Sequence, residues 1–174
     1  VLSQRIGKAV AEKSYPLVHA RLPVRSFVPA LVLRLRLLMG LFDRLLEEGV
    51  EPDVIALSFY PWWHGTFDEL ESTLHALAAR YGKPLMIVET AYPWTLDWHY
   101  QTHNVIGLQE QLLEGYPATP AGQRRFVEDL RQRLRDVPDG LGQGLFWWGP
   151  EWIAAPGFGS AWENLALFDF DGYL

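Results

Sequence analysis

Cysteine is absent from all 174 residues, so the chain has no means of forming a disulfide or a thiolate metal site. That excludes some chemistry and leaves the cellular compartment open. Positive charge is scarce too: a formal net charge of −6 and a pI near 5.3 argue against a general affinity for nucleic acid or anionic lipid, since both need a basic face. No stretch reaches the roughly 18 to 20 apolar residues that cross a bilayer. The first residues do not read as a signal peptide, so any export signal would lie upstream. A glycine-rich phosphate turn follows none of the apolar runs, which disfavours a doubly wound nucleotide-binding sheet. Acids are missing between Glu12 and Asp43, where His19, Arg21, Arg25, Arg34 and Arg36 interrupt the run "SFVPALVLRLRLLMG". The alternation of Leu31, Leu33 and Leu35 with arginine suits an amphipathic strand, and helix propensity is equally good, so both remain open there.

What is present is apolar and aromatic. A hydrophobic content of 49% suits one globular domain with a real core. Eight tryptophans in an aromatic fraction of 14% exceed what an ordinary core needs, and favour a surface that stacks on flat apolar faces such as those of sugar rings.

From residue 41 the pattern is regular. "LFDRLLEEGV" reads as a short helix ending at Gly49, and "DVIALSFYP" as a strand buried on both faces. "FDELESTLHALAARYG" places Leu70, Leu74, Leu77 and Tyr81 on one stripe before a glycine stop. "KPLMIVET" is a second buried strand. "TPAGQRRFVEDLRQRLRDV" opens with Thr119 as N-cap and Pro120 at the first helical position, and "GQGLFWWGP" is a third strand. Alternating strand and helix predicts a parallel α/β architecture, with a barrel favoured.

In such barrels the functional side chains stand at the C-terminal ends of strands. Glu89 closes the second strand, Tyr60 and "PWWHG" follow the first, and Trp147 and Trp148 end the third. A lone Glu closing a strand is commonly a cap or an ion-pair partner. Aromatic residues at both neighbouring strand ends point instead to a carboxylate that attacks sugars.

The segments "DVIALSFYPWWHGTFDEL", "RYGKPLMIVETAYPWTLD", "GYPATPAGQRRFVEDL" and "GSAWENLALFDFDGYL" resemble successive blocks of the arabinogalactan endo-β-1,4-galactanases, glycoside hydrolase family 53. The resemblance covers residues 41–174. It implies a retaining (β/α)8 TIM-barrel glycosidase that hydrolyses the β-1,4-galactan side chains of pectin by double displacement, with this chain supplying the C-terminal half, strands six to eight. It implies Glu89 as nucleophile, Tyr60 as the residue that orients it, and Trp63, His64, Trp94 and Trp148 as substrate-binding residues. No cofactor takes part in that chemistry. A structural calcium ion held between the loops after strands seven and eight would draw on Asp97, Asn104, Ser160 and Glu163, for which loop capping and solvation are the competing reading. His99 and His103 would imitate a zinc pair only on a helix, and the His-Glu pattern of zinc hydrolases is missing. The expected partner is galactan or a galacto-oligosaccharide, with no nucleic acid and no membrane, and the parent enzyme is expected to be secreted.

Three departures from the family pattern stand out. The family's general acid is a Glu following Asn at the end of strand four, and no Asn-Glu pair precedes Glu89 here; Glu12, Glu47 and Glu48 lack that context. Where the family shows "WEP", this chain has Trp148, Gly149 and Pro150, with Glu151 next. Residues 1–40 diverge, as a shifted reading frame or a divergent truncation would. Half a barrel leaves sheet edge uncovered, which predicts self-association. The alternatives to an active hydrolase are a catalytically inactive galactan-binding fragment and a non-functional gene remnant.

Overall fold

The computed structural model describes residues 27–99 and 102–174, residues 27–34 through their backbone alone. His19, Arg21, Arg25 and most of residues 1–40 lie outside the described residues. The first element is helix α1, Phe27–Glu47. It settles the ambiguity around Arg34 and Arg36 in favour of helix, and extends well ahead of the short helix that "LFDRLLEEGV" suggests. Leu35, Leu38, Met39 and Phe42 turn toward the core, whereas Leu37 and Leu41 are exposed.

Three strands follow: β1 (Ile55–Phe59), β2 (Leu85–Thr90) and β3 (Gly142–Trp147). They form one all-parallel sheet in the order β1-β2-β3. Sequential order is what a barrel segment requires, because each right-handed crossover sets the next strand beside the last. The sheet is consistent with part of a barrel. Helix α2 (Pro61–His64) is a single turn directly after β1, α3 (Phe67–Tyr81) makes the first crossover and α4 (Pro120–Arg135) the second.

Both crossover helices start where their side chains supply the missing acceptors. Thr119 accepts from the amide of Gly122 with Pro120 at the first turn, as predicted. At α3, Thr66 and Glu69 form a reciprocal capping box, and the helix stops at Gly82 in the left-handed conformation (φ 59°).

The core lies between one face of the sheet and these helices. Ile55, Phe59, Leu85 and Ile87 meet Leu70, Leu74 and Leu77 of α3 and Phe126, Leu130 and Leu134 of α4. Phe126 is its centre, stacked 4.5 Å from Tyr92 and 5.2 Å from Phe67. Truncating such a fully buried ring costs about 3–5 kcal/mol. The predicted burial of β1 on both faces is corrected: Ile55 and Phe59 are buried, but Ala56 and Ser58 are exposed. The reason is position. Among the described residues β1 is the outer strand of the sheet, and Ala56 and Ser58 stand on its face away from the core. Beside it runs an apolar groove of about 610 Å³ between β1 and Leu35, Leu37, Leu38 and Leu41 of α1.

Candidate active site

Tyr60 is placed by the change from strand to helix. β1 delivers it in extended conformation (φ −128°), and Pro61 then fixes the first residue of α2. The backbone N–H of Tyr60 donates to His64 Nδ1 at 2.8 Å, so the short helix closes back on its own cap. The side chain is almost wholly buried, and its ring packs edge-on against Trp63 at 5.3 Å and against Trp162 at 5.8 Å. Trp62 lies 5.5 Å from it with a buried indole N–H that has no protein partner.

Glu89 is the penultimate residue of β2 and is half-buried. It pairs with Ser58 of β1 after a one-residue register shift, and Thr90 pairs with Phe59. That register brings the end of β2 level with the residue following β1, and the Tyr60 hydroxyl donates to Glu89 Oε2 at 3.2 Å. Burial pushes the Tyr60 phenol far above the ordinary tyrosine range, and the adjacent Glu89 carboxylate pushes it further. The phenol is therefore a proton donor across the physiological range, facing an acceptor it cannot lose by its own ionisation.

The third strand end continues the row. Trp148 donates its amide to the carbonyl of Thr90 at 2.8 Å, extending the β2–β3 ladder past Trp147. Its indole is part-exposed and meets Trp152 at 5.9 Å, which in turn lies 6.4 Å from Trp162. Trp162 donates its indole N–H to the carbonyl of Trp148 at 3.1 Å. A row of rings thus runs from Trp63 through Tyr60, Trp162 and Trp152 to Trp148. Sequence reasoning picked out its ends and missed Trp152 and Trp162, which sit in loops where no periodicity flags them.

Trp94 is placed differently from the other expected sugar-binding residues. Its ring packs 4.8 Å from Phe170, its indole N–H is buried, and its amide donates to the carbonyl of Asn164. It belongs to the junction between the loop after β2 and the segment after β3. That junction is dense: Asn164 donates to the carbonyls of Thr95 and Ile106, both at 2.7 Å, and the amide of His99 donates to Glu163 Oε1 at 2.6 Å.

The four residues expected to hold calcium all lie at this junction, in unequal states. Glu163 is fully buried, with Oε2 lacking a hydrogen-bond partner, and Asn104 Oδ1 is likewise buried and uncommitted. Asp97 is exposed, and the Ser160 hydroxyl oxygen accepts from the amide of Trp162. Among the described residues no group of three or more His, Asp or Glu is placed to hold a metal. Two uncommitted buried oxygens nevertheless suit a hard cation, which takes carboxylate and amide oxygen alike. Residues on either side of 100–101 are non-helical, so His99 and His103 do not form a helical pair; their rings contact Phe170 and Trp98. At the other departure from the pattern, Gly149 turns the backbone with φ +59°, and Glu151 is exposed.

Residues 36–174 match the model of glycosyl hydrolase family 53. A protein of Niallia circulans with no assigned activity is 50% identical over 136 residues, 75% of this chain and 37% of its own length. An arabinogalactan endo-β-1,4-galactanase of Cellvibrio japonicus is 38% identical over 135 residues, 74% of this chain and 35% of its own. Among solved structures, the GH53 catalytic domain of Ignisphaera aggregans superposes with a TM-score of 0.76 at 40% identity, covering 80% of this chain and 41% of that one. The chain spans little more than a third of the length of the curated relatives it matches.

Proposed function

Because the chain belongs to glycosyl hydrolase family 53, we propose that its strand ends form the nucleophile side of a retaining endo-β-1,4-galactanase. Glu89 attacks the anomeric carbon of a galactose unit, the bond to the leaving oxygen breaks, and the glycosyl ester is later hydrolysed by water. Tyr60 aims the attacking carboxylate. Trp63, His64 and Trp148 line the cleft for the sugar, with Trp94 supporting its wall from the loop junction. Calcium, where bound, would be held by Glu163 and Asn104, tying the two loops together away from bond breaking. The observation that carries the reading is the 3.2 Å hydrogen bond from Tyr60 to Glu89 between adjacent strand ends. A lone strand-end carboxylate serving as a cap has no need of a buried phenol aimed at one oxygen.

Retaining hydrolysis also needs a general acid about 5 Å from the nucleophile. The only two asparagines, Asn104 and Asn164, are followed by Val and Leu, so these 174 residues contain no Asn-Glu pair. That observation favours a second reading, a chain that binds galactan without cleaving it. A galactobioside with a fluorine at C2 and an activated leaving group separates the two, because the good leaving group removes the need for the acid. Under the first reading, mass spectrometry finds the glycosyl adduct on the peptide containing Glu89. A chain that binds galacto-oligosaccharides in calorimetry yet acquires no adduct fits the second.

A further inference from the structure

We infer that His64 is a positioning residue for the attacking carboxylate: it fixes the backbone of Tyr60 and, through the Tyr60 hydroxyl, the direction in which Glu89 points. The inference rests on the galactanase reading and goes beyond the place in the cleft lining given to His64 there. Tyr60 stands one residue past the end of β1 and one before the start of α2. Its amide turns to the imidazole four residues on, with Nδ1 as acceptor at 2.8 Å. In the opposite direction the amide of His64 donates to the carbonyl of Tyr60 at 2.7 Å, beside that of Trp63 at 3.0 Å. The two residues thus hold each other through side chain and main chain. The arrangement is that of a capping box, with an imidazole in the place of the usual carboxylate.

Proline cannot do this work alone. It confines the residue before it to extended backbone but leaves φ free over about 40° to either side, and Tyr60 lies inside that range at φ −128°. A group that takes part in chemistry has to be held to about 10–20°. The bond to His64 narrows the range, because Tyr60 is almost wholly buried and no water can take over as acceptor for its amide. The imidazole is itself held, 6.0 Å from the Tyr60 ring on one side and bordering the leucine groove of α1 on the other. From there the chain of contacts is short: His64 to the Tyr60 amide, and the Tyr60 hydroxyl to Glu89 Oε2 at 3.2 Å.

The test uses the activated 2-fluoro galactobioside on the full chain, on His64→Leu, His64→Asn and Tyr60→Phe, and on the double variant Tyr60→Phe/His64→Leu, with hydrogen exchange followed at the Tyr60 amide. Expected for His64→Leu is about a tenfold lower limiting rate of labelling and faster exchange at that amide. His64→Asn, whose side-chain oxygen stands where Nδ1 stood, should restore most of both. In the Tyr60→Phe background, His64→Leu should slow labelling no further, since the hydroxyl through which it acts is gone. Urea midpoints close to that of the parent show that the variants are folded. A second tenfold loss in the Tyr60→Phe background, or an effect confined to the half-saturating concentration, would show that His64 acts on the sugar alone; the inference is then overturned and the galactanase reading stands. If the parent acquires no adduct, the reading itself fails and takes the inference with it.

Discussion

The Tyr60 hydroxyl reaches across from the end of β1 to donate to Glu89 Oε2 at the end of β2, 3.2 Å away. Because Tyr60 is nearly buried and Glu89 only half-buried, the phenol fixes the direction of the carboxylate while leaving part of it accessible.

Removing either partner should separate aim from reactivity. Glu89→Gln is expected to abolish adduct formation from the activated galactobioside with a native-like urea midpoint. Tyr60→Phe should keep the adduct but slow it by about ten- to a hundredfold, as loss of one positioned donor does. Its cost in stability should stay near 1 kcal/mol, the usual net value of one hydrogen bond. An unchanged labelling rate in Tyr60→Phe would remove the aiming role.

Three tyrosines predict how the fold responds to alkali. Burial pushes both the Tyr92 and the Tyr116 phenol up to about 12, the latter helped by its bond to Asp129, and Tyr60 is raised beyond them. In each case the native state holds the proton more tightly than the unfolded chain, whose tyrosines ionise near 10. Their contribution is thus fully present below about pH 10 and is lost as the pH climbs toward about 12. Urea midpoints measured across that window should fall steadily, with tyrosinate absorbance lagging behind that of the unfolded chain. A flat profile would contradict the assignment.

Gln123 is a further point of leverage. Its buried amide donates to the carbonyls of Tyr92 at 2.8 Å and Ala166 at 3.0 Å, so one side chain at the start of α4 holds the segments that leave both β2 and β3. Gln123→Leu leaves two buried acceptors unpaired and should cost about 2–4 kcal/mol. Chemical denaturation measures this directly, and a loss below about 0.5 kcal/mol, typical of a surface substitution, would show that the bridge is dispensable.

The edge of β1, unpaired among the described residues, is expected to draw chains together. Its neighbouring groove is lined by Leu57 and by Leu35, Leu37, Leu38 and Leu41 of α1, and an unprotected strand edge beside such a surface is a template for pairing. Sedimentation velocity should show concentration-dependent association, reduced when the exposed Leu37 and Leu41 are both replaced by lysine. A monomer at every concentration would refute it.

The strands were legible because each is a short apolar run with an abrupt end, and the residues at or just past those ends, Tyr60, Glu89 and Trp148, are also those of the proposed site. Thr119 and Pro120 marked the start of α4 for the same reason: capping is local physics. Other features depend on distant parts of the chain. The exposure of Ala56 and Ser58 reflects a sheet face left uncovered among the described residues, which no property of "IALSF" encodes. Helix α1 was ambiguous because Arg34 and Arg36 suit a strand's polar face as well as a helix's, and packing of Leu38 and Phe42 decides it. Trp94 stands five residues from Glu89 in sequence and still turns toward Phe170, whereas Trp162, distant in sequence, packs against Tyr60.

The row of rings at the strand ends has an optical consequence. Indoles 5.9 and 6.4 Å apart, in planes at 73° and 76° to one another, are close enough for their transition dipoles to couple. Their excited states mix, and the mixing is chiral because the rings are held rigidly. The cleft should therefore carry an exciton signature in near-ultraviolet circular dichroism, so that disturbing any one indole alters the spectrum of the whole set.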